Sequence, residues 1–300
     1  MSTPGSPYLT GNSVADERAA AAPAATADAA RTGAPKASAP ATGWSPAGVR
    51  SRNWARLPLG LIIPAILLAA WQVASSTGLF SVVQLPPPAM VLGAAGELLG
   101  RGELGTHIAI STQRVLIGFL IGAALGLILG ATVGLSRIAD ALLAPTIGAL
   151  RAVPSLAWVP LLILWLKIGE DSKVTLIIIG AFFPVFTTVS LALRHVDRNL
   201  VEAARAFGLK GVRLLTTVQL PAVVPAVFSG LRLALAQAWL FLVAAELIAS
   251  SMGLGFLLID SQNNGRTDRL FLAIVLLAVI GKLTDALLGL AEKWAVKRWA

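Results

Sequence analysis

Six long apolar segments separated by shorter polar stretches dominate the pattern of this chain. They occupy residues 57–76, 107–135, 141–166, 174–193, 222–249 and 270–292. Each is long enough to cross about 30 Å of hydrocarbon as an α-helix that rises about 1.5 Å per residue. The alternation of apolar and polar residues that marks transmembrane β-strands is absent. The pattern therefore predicts an all-α polytopic membrane protein with six transmembrane helices.

A polar stretch between the fourth and fifth apolar segments predicts an ordered helix outside the bilayer. Asn199 is predicted as its N-cap, with Glu202 three residues later as in a capping box. Gly208 is predicted to end the helix in the left-handed conformation. Apolar residues recur at helical spacing on one side of it: Leu200, Val201, Ala204 and Phe207. A helix of residues 199–208 could bind another protein, or it could be a capped linker lying on lipid headgroups.

Five glycines recur at every fourth position of the second apolar segment. They are Gly118, Gly122, Gly126, Gly130 and Gly134. Such a stripe of small residues lets another helix approach closely within a membrane. It predicts either static packing inside one chain or a surface that slides during a conformational change.

Prolines and charges inside the apolar segments indicate which helices face the protein interior. Pro145, Pro154 and Pro160 interrupt the third segment around Arg151, and freed backbone groups are tolerated only beside other helices or water. In the fifth segment, charged and aromatic residues seven positions apart share one face: Arg232, Trp239 and Glu246. Together with Arg151 they are the candidate lining of a translocation pathway. Alternatively, the two charges of the fifth segment pair with other helices.

The last apolar segment carries Lys282 and Asp285 three residues apart, which predicts a local ion pair. His107, at the outer end of the second segment, is predicted to be a packing residue. With only two histidines and no cysteine, the sequence predicts no metal site. No phosphate-binding loop and no hydrolase or metalloprotease motif occurs. The chain is therefore predicted not to be an enzyme, and no cofactor is expected.

The first part of the chain differs from the rest. Residues 1–52 are rich in Ala, Pro, Gly, Ser and Thr and are predicted to form a disordered tail. Residues 53–104 are predicted to hold the first transmembrane helix with an external loop and short helix. Residues 105–300 are predicted to form a core of five helices that contains the helix 199–208. Overall, 56% of the residues are hydrophobic and 13% charged, which is too apolar for a soluble domain of this length.

The distribution of Lys and Arg predicts the orientation. With the N-terminus in the cytoplasm and six crossings, 15 basic residues fall on the cytoplasmic side and 5 outside. Positive residues favour the cytoplasmic side of a membrane. Both termini and the helix 199–208 are therefore predicted to be cytoplasmic. The net charge of +9 is attributed to this membrane topology and does not indicate nucleic-acid binding.

The stretch that begins at Glu202 resembles the docking loop of ATP-binding-cassette importer permeases, whose pattern is E-A-A-x3-G-x9-I-x-L-P. The chain matches at Glu202, Ala203, Ala204, Gly208, Leu220 and Pro221. Val218 stands where Ile is usual. The resemblance implies that this helix, which also carries Arg205 and Phe207, couples the chain to a separate ATPase.

The resemblance covers residues 104–299 and is greatest to permeases of the sulfonate, taurine, nitrate and bicarbonate importers. Residues 151–173 are similar to that group's R-x-V-P-x-x-A-x-x-P-L-x-I-L-W-F-G-I-G-E-x-S-K, with Leu166 and Lys167 in place of Phe-Gly. Residues 197–204 and 281–285 look most like aliphatic-sulfonate permeases.

The resemblance implies the type I importer architecture in a bacterial inner membrane. The implied partners are a second copy of this chain, two cytoplasmic ATP-binding-cassette subunits and an external substrate-binding protein. The implied substrate is a small anion, most of all an aliphatic sulfonate. Two alternatives from other classes are an ion-coupled secondary transporter and a non-transporting membrane scaffold.

Overall fold

The structure, a computed structural model, describes the backbone of residues 56–299 and the side chains of residues 62–298. The predicted tail, residues 1–52, lies outside this range. All regular elements in the described part of the chain are helical. The α-helices are α1 Arg56–Ser76, α2 Pro88–Gly100, α3 Glu103–Leu135, α4 Arg137–Ala152, α5 Trp158–Leu166, α6 Glu170–Arg194, α7 Arg198–Ala206, α8 Gly211–Leu214, α9 Leu220–Ala249, α10 Leu254–Asn263 and α11 Thr267–Trp299. A 3-10 turn, Ser155–Ala157, precedes α5, and a π-helical segment, Leu215–Gln219, joins α8 to α9.

Within the described residues, four continuous helical stretches are long and apolar enough to cross a membrane: Glu103–Leu135, Glu170–Arg194, Gly211–Ala249 and Thr267–Arg298. They coincide with the second, fourth, fifth and sixth predicted segments. α4 and α5 together add a fifth crossing if they are one bent span. The count of six stays a prediction, because the side chains of α1 are described only from residue 62 onward.

The third predicted segment is not one continuous helix, and its interruption at Pro154 agrees with the sequence-based expectation. α4 and α5 are bent by 79° relative to each other. The break lies at Val153, whose backbone is extended at φ −71° and ψ 124° because Pro154 disfavours the helical conformation in the preceding residue. Pro145, by contrast, lies inside α4 without ending it.

The glycine stripe of α3 packs against α6 of the same chain. A Cβ atom on Gly122 would lie 2.6 Å from the carbonyl oxygen of Ile178, and one on Gly130 would lie 2.9 Å from that of Phe186. Contacts this short leave no room for any side chain, so the two backbones approach as closely as glycine allows. Gly118, Gly126 and Gly134 meet the same helix in the same way.

Three helices, α3, α6 and α9, form the centre of the bundle around an apolar core. Its largest fully buried members include Val115, Ile177 and Leu242. Two smaller apolar clusters flank it. One joins α2, α10 and α11 at one end of the bundle, and the other joins α4 to α3 and α6 near the opposite end. We call the latter the α7 end, because α7 follows α6 there.

A surface ion cluster also joins α2 to α11. Arg266 and Arg269 donate hydrogen bonds of 2.8 and 2.7 Å to the carboxylate of Glu97. The hydrogen bond from Arg266 is the largest influence on this carboxylate and lowers the pKa of Glu97. Glu97 therefore stays ionised, and the cluster holds the short helix α2 against the last transmembrane helix.

Enlarging Gly122 to alanine should destabilise the protein, whereas the same change at Gly105 should not. The methyl group at Gly122 meets a fixed backbone oxygen, and overpacking of this kind costs about 1–3 kcal/mol. A Cβ atom at Gly105, on the same helix, has no neighbour within 4 Å, so Gly105→Ala is the matched control. Thermal unfolding of the purified permease in detergent measures the difference. Equal melting temperatures for the two variants would contradict the close approach of α3 and α6.

Candidate functional site

The N-terminus of α7 is capped by Asp197, and the predicted cap at Asn199 is wrong. The Asp197 carboxylate accepts a hydrogen bond of 2.8 Å from the backbone N–H of Asn199. Glu202 does not complete a capping box but lies 3.6 Å from the guanidinium of Arg198, one turn earlier. α7 thus begins at Arg198, one residue before the predicted start, and ends at Ala206, so that Phe207 and Gly208 lie in its C-terminal cap.

The C-terminus of α7 forms a Schellman motif at Gly208, as the sequence predicts for a left-handed C′ residue. Gly208 has φ +83°, where residues with a Cβ are strained. Its N–H donates to the carbonyl of Arg205 at 2.9 Å, and the N–H of Leu209 donates to the carbonyl of Ala204 at 3.1 Å. Both ends of α7 are therefore stopped by specific hydrogen bonds.

One side of α7 packs on the segment that follows it, and the other side is exposed. Ala204 is buried, and α8 and the π-helical segment lie beneath it. The exposed fractions are 50% for Leu200, 65% for Glu202, 89% for Phe207 and 75% for Val212. Leu200 and Glu202 lie on different sides of α7, Phe207 is its C-cap and Val212 belongs to α8. We call these four exposed residues together the α7 face. Large apolar side chains exposed beside a charge in this way are typical of a surface that another protein covers.

The remaining residues of the predicted docking motif lie around this face. Ala203 and Arg205 are exposed on α7. Leu220 and Pro221 form the first turn of α9 directly after the π-helical segment, with Leu220 exposed and Pro221 half-buried. The motif therefore spans α7, its supporting segment and the start of a transmembrane helix.

At the opposite end of the bundle, an ion-pair network joins α3, α6 and α9, with Glu246 fully buried and the side chain of Glu170 60% exposed. Arg114 donates to Glu246 and to Glu170, each at 2.6 Å. Glu246 has no exposed surface, and Ser111 donates to both of its oxygens. Lys173 also contacts Glu170 at 3.0 Å. Two carboxylates and two cations thus satisfy each other where an isolated charge would be costly.

The same network holds the loop between α9 and α10. Arg114 donates to the carbonyl of Met252 at 2.7 Å, and the N–H of Gly255 donates to Glu246 at 2.7 Å. The N–H of Gly253 donates to Nδ1 of His107 at 3.0 Å, which gives His107 the packing role expected for it. The loop is therefore tied by hydrogen bonds to α3, through His107 and Arg114, and to α9, through Glu246.

The charges of the fifth predicted segment pair with other helices, which is the alternative that the sequence left open. Arg232 on α9 forms two hydrogen bonds with Asp285 on α11, of 2.8 and 2.9 Å. Trp239 donates to the hydroxyl of Thr284 at 3.0 Å. The local pair between Lys282 and Asp285 is also present, at 3.2 Å. Glu246 is buried in its network, while Arg232 and Trp239 line a cavity of about 360 Å³ between α9 and α11.

Arg151, the fourth candidate pathway residue, lies in the last turn of α4 just before the bend. Its guanidinium donates to the hydroxyl of Thr187 on α6 at 3.0 Å. Nearby, Arg194 at the end of α6 pairs with Asp140 in the first turn of α4. Among the residues with described side chains, no cluster of three or more His, Cys, Asp or Glu could hold a metal ion.

Sequence reasoning did not identify Glu170 or Ser111 as partners of Arg114. The available signal was Arg114 itself, since a cation inside an apolar segment needs a buried counter-charge. Glu246 is the only carboxylate within the fifth segment, and the requirement that each charge be paired would have joined the two. Arg114 and Glu246 are 132 residues apart in sequence, so only the folded bundle shows that Glu246 is the carboxylate that pairs with Arg114.

The helices, their lengths and the buried charges define a multi-pass helical membrane protein of the transporter class. Residues 122–297 match the family described as binding-protein-dependent transport system inner membrane component, and the chain belongs to this family.

Similar proteins have been named as permeases. A Bacillus subtilis (strain 168) protein named as an aliphatic sulfonates transport permease, SsuC, is 41% identical over 88% of this chain and 94% of its own length. The Escherichia coli (strain K12) protein of the same name is 42% identical over 83% of this chain and 94% of its own. The taurine transport system permease protein TauC of Escherichia coli (strain K12) is 34% identical over 74% of this chain and 82% of its own.

A solved structure has the same fold. One chain in an inward-facing structure of the MetNI methionine ABC transporter superposes with a TM-score of 0.51 at 23% identity. The match covers 69% of this chain and 98% of that chain. At this level of identity the likeness concerns the fold alone.

Removing Arg114 should destabilise the permease strongly, and neutralising Glu246 as well should restore most of the loss. Arg114→Met leaves a carboxylate buried without its counter-charge, which costs about 3–5 kcal/mol. In Arg114→Met/Glu246→Gln, the neutral amide can still accept hydrogen bonds from Ser111 and Gly255. Arg101→Met, which breaks an exposed pair, is the control and should cost about 0–1 kcal/mol.

Thermal unfolding in detergent measures all four proteins, including the wild type. A double variant less stable than Arg114→Met alone would contradict the role assigned to the Arg114 and Glu246 pair, because no uncompensated charge remains in it.

Proposed function

We propose that this chain is the membrane-spanning permease subunit of an ATP-driven importer for a small oxyanion, an aliphatic sulfonate above others. The similar proteins named for aliphatic sulfonates and taurine support this substrate class, because these molecules carry a sulfonate oxyanion group. The observation that carries the proposal is the α7 face, an exposed apolar and acidic surface on a short helix with two fixed ends.

The ATPase is a separate subunit that covers the α7 face. The sequence contains no phosphate-binding loop, so the nucleotide must bind elsewhere. Phe207 and Leu200 supply the apolar contact, and Glu202 and Arg205 supply charges at its edge. The small side chains of Ala203 and Ala204 allow close packing of the helix, and the left-handed Gly208 directs the chain away from the contact. The α7 end is cytoplasmic, as the distribution of Lys and Arg favours.

Movement of the ATPase reaches the membrane through α9. α7 packs on α8 and the π-helical segment, which continue into α9 through Leu220 and Pro221. α9 is in turn bound to α11 through Arg232 and Trp239 and to α3 through Glu246. A displacement of α7 is therefore transmitted to α9, which is hydrogen-bonded to α3 and α11, and is not absorbed by a flexible loop.

The importer works as a dimer of this chain with two ATPases and an external binding protein. ATP binding closes the ATPase pair and draws the two α7 helices together, and hydrolysis releases them. Nucleotide drives the change because it binds the two conformations with different affinity. The pathway runs beside Arg151, Arg232 and Trp239, and the Glu246 network closes it at the end opposite α7.

Reconstitution tests this function. The permease, its ATPase and its binding protein are placed in liposomes, and uptake of radiolabelled ethanesulfonate is measured. Uptake should require both ATP and the binding protein. Uptake driven by an ion gradient without ATP would identify a secondary transporter, and ATPase binding without any uptake would identify a scaffold.

Reversing the charge at Glu202 should uncouple the permease from its ATPase. Glu202→Lys changes an exposed residue on the α7 face, so insertion and folding should be unaffected. Co-purification of the ATPase and ATP-dependent uptake should both fall, by about tenfold for a central interface residue. Glu103→Lys, at the opposite end of the bundle, is the matched control. Undiminished co-purification of the ATPase would show that α7 is not the docking site.

A bulky residue at Gly208 should have the same effect by another route. Gly208→Val forces a β-branched residue to φ +83°, which distorts the cap and turns the α7 face away from its partner. Gly102 also has positive φ, +72°, and neither glycine has a neighbour within 4 Å of a Cβ atom. Gly102→Val therefore controls for the strain itself. Equal ATPase binding by the two variants would contradict the role of the α7 cap.

A further inference from the structure

A cavity between α4 and α6 contains a cation that the mechanism described above leaves without a partner. The cavity has a volume of about 210 Å³ and is open on one side. Its lining combines apolar residues with hydroxyl and guanidinium groups. The polar members are Arg151, Thr187, Ser190 and Arg194, and Gly148 forms part of the wall.

The cavity lies within the membrane-spanning part of the bundle. Thr187 is seven residues before the last residue of α6, which places it about 10 Å along the axis from the α7 end. The whole of α6, with 25 residues, is about 37 Å long. The guanidinium of Arg151, bonded to Thr187, therefore lies away from the end of α6, and its side chain is exposed at the open side of the cavity.

Arg151 differs from the other arginines of the transmembrane helices that face the protein. Arg114 and Arg232 each bind carboxylates of other helices, and Arg194 is paired with Asp140. Among the residues that the structure describes, Arg151 forms no salt bridge, and its one hydrogen bond is to the Thr187 hydroxyl. A charge inside a membrane is costly unless it faces water or meets an opposite charge, so this cation marks a place where an anion is expected.

The neighbouring groups suit an oxyanion. Thr187 Oγ1 accepts the bond from Arg151, which leaves its own O–H free to donate. Arg194 adds a second positive group at the cavity wall, already balanced by Asp140. The free N–H groups of Arg151 form a planar fork that matches two oxygens of a sulfonate. One positive charge is left over in the cavity, and one monovalent anion neutralises it.

We propose that the cavity between α4 and α6 binds the oxyanion group of the substrate during translocation, with Arg151 and Thr187 as its ligands. The volume supports a small head group, because drug-sized ligands occupy roughly 300–1,000 Å³. This proposal rests on the proposed import function and adds to it the position at which the membrane subunit itself recognises the charge of its substrate.

The experiment uses the complete transporter in liposomes with saturating, substrate-loaded binding protein. Two quantities are measured together, the rate of ethanesulfonate import and the rate of ATP hydrolysis. Arg151→Gln should lower import about 10- to 100-fold, the effect of losing a charge-assisted hydrogen bond. ATP hydrolysis should persist, so more ATP is used for each anion imported. Arg151→Lys should recover part of the import, because the charge remains and the fork is lost.

Two controls separate the cavity from the helix that carries it. Arg137→Gln makes the same change at the first residue of α4, outside the cavity, and should leave the ratio of ATP to import unchanged. Gly148→Leu places a larger side chain in the cavity wall, at a position where a Cβ atom has no neighbour within 4 Å. It should reduce import of pentanesulfonate more than that of methanesulfonate. Gly289→Leu, at an equally open position on α11, should reduce neither.

The outcomes distinguish this proposal from the function on which it rests. If the wild type imports no sulfonate, the proposed function fails. If the wild type imports ethanesulfonate and Arg151→Gln imports it equally well, the function stands and the anion site is wrong. Loss of permease dimers in Arg151→Gln would mean that Arg151 pairs with the second copy. Loss of co-purifying phospholipid, with unchanged import, would mean that the oxyanion is a lipid phosphate.

Discussion

The close approach of α3 and α6 is the contact on which the rest of the bundle depends. Helices in a membrane gain little from burying apolar side chains, since lipid is equally apolar, so close packing of backbones has to hold them together. Five glycines on α3 permit that approach over almost the whole length of the pair. α9 then packs against both helices, and the functional features lie at the two ends of this three-helix centre.

Charges inside the bundle add specificity to this packing. The Arg114 network fixes the relative positions of α3, α6 and α9 and of the loop that follows α9. The pair of Arg232 and Asp285 fixes α11 to α9. Hydrogen-bonded ion pairs have one good geometry, whereas apolar surfaces have many, so these pairs define how the helices are aligned. Arg151 stands apart from them, because its counter-charge is not supplied by the described chain.

α7 is built differently from the helices it joins. Its caps at Asp197 and Gly208 are local, and its large apolar residues Leu200 and Phe207 are exposed among the described residues. A helix of nine residues is too short to be stable by itself in water. It is stabilised by its caps and by packing on the segment that leads into α9. The proposed docking surface is therefore connected directly to a transmembrane helix.

The sequence alone determined the helical class, the approximate limits of the long helices, the glycine contact and the left-handed end of α7, because each depends on residues close together along the chain. It did not determine the cap at Asp197, since aspartate and asparagine cap equally well and the path out of α6 decides between them. Nor did it determine the bend of 79° after α4, although Pro154 marks its position. Only the tertiary structure shows that Arg114 pairs with Glu246 and that Arg232 pairs with Asp285. It also shows that Arg151 is hydrogen-bonded to the hydroxyl of Thr187 and not to a carboxylate. These choices join residues far apart in sequence, where chain spacing carries no information about distance.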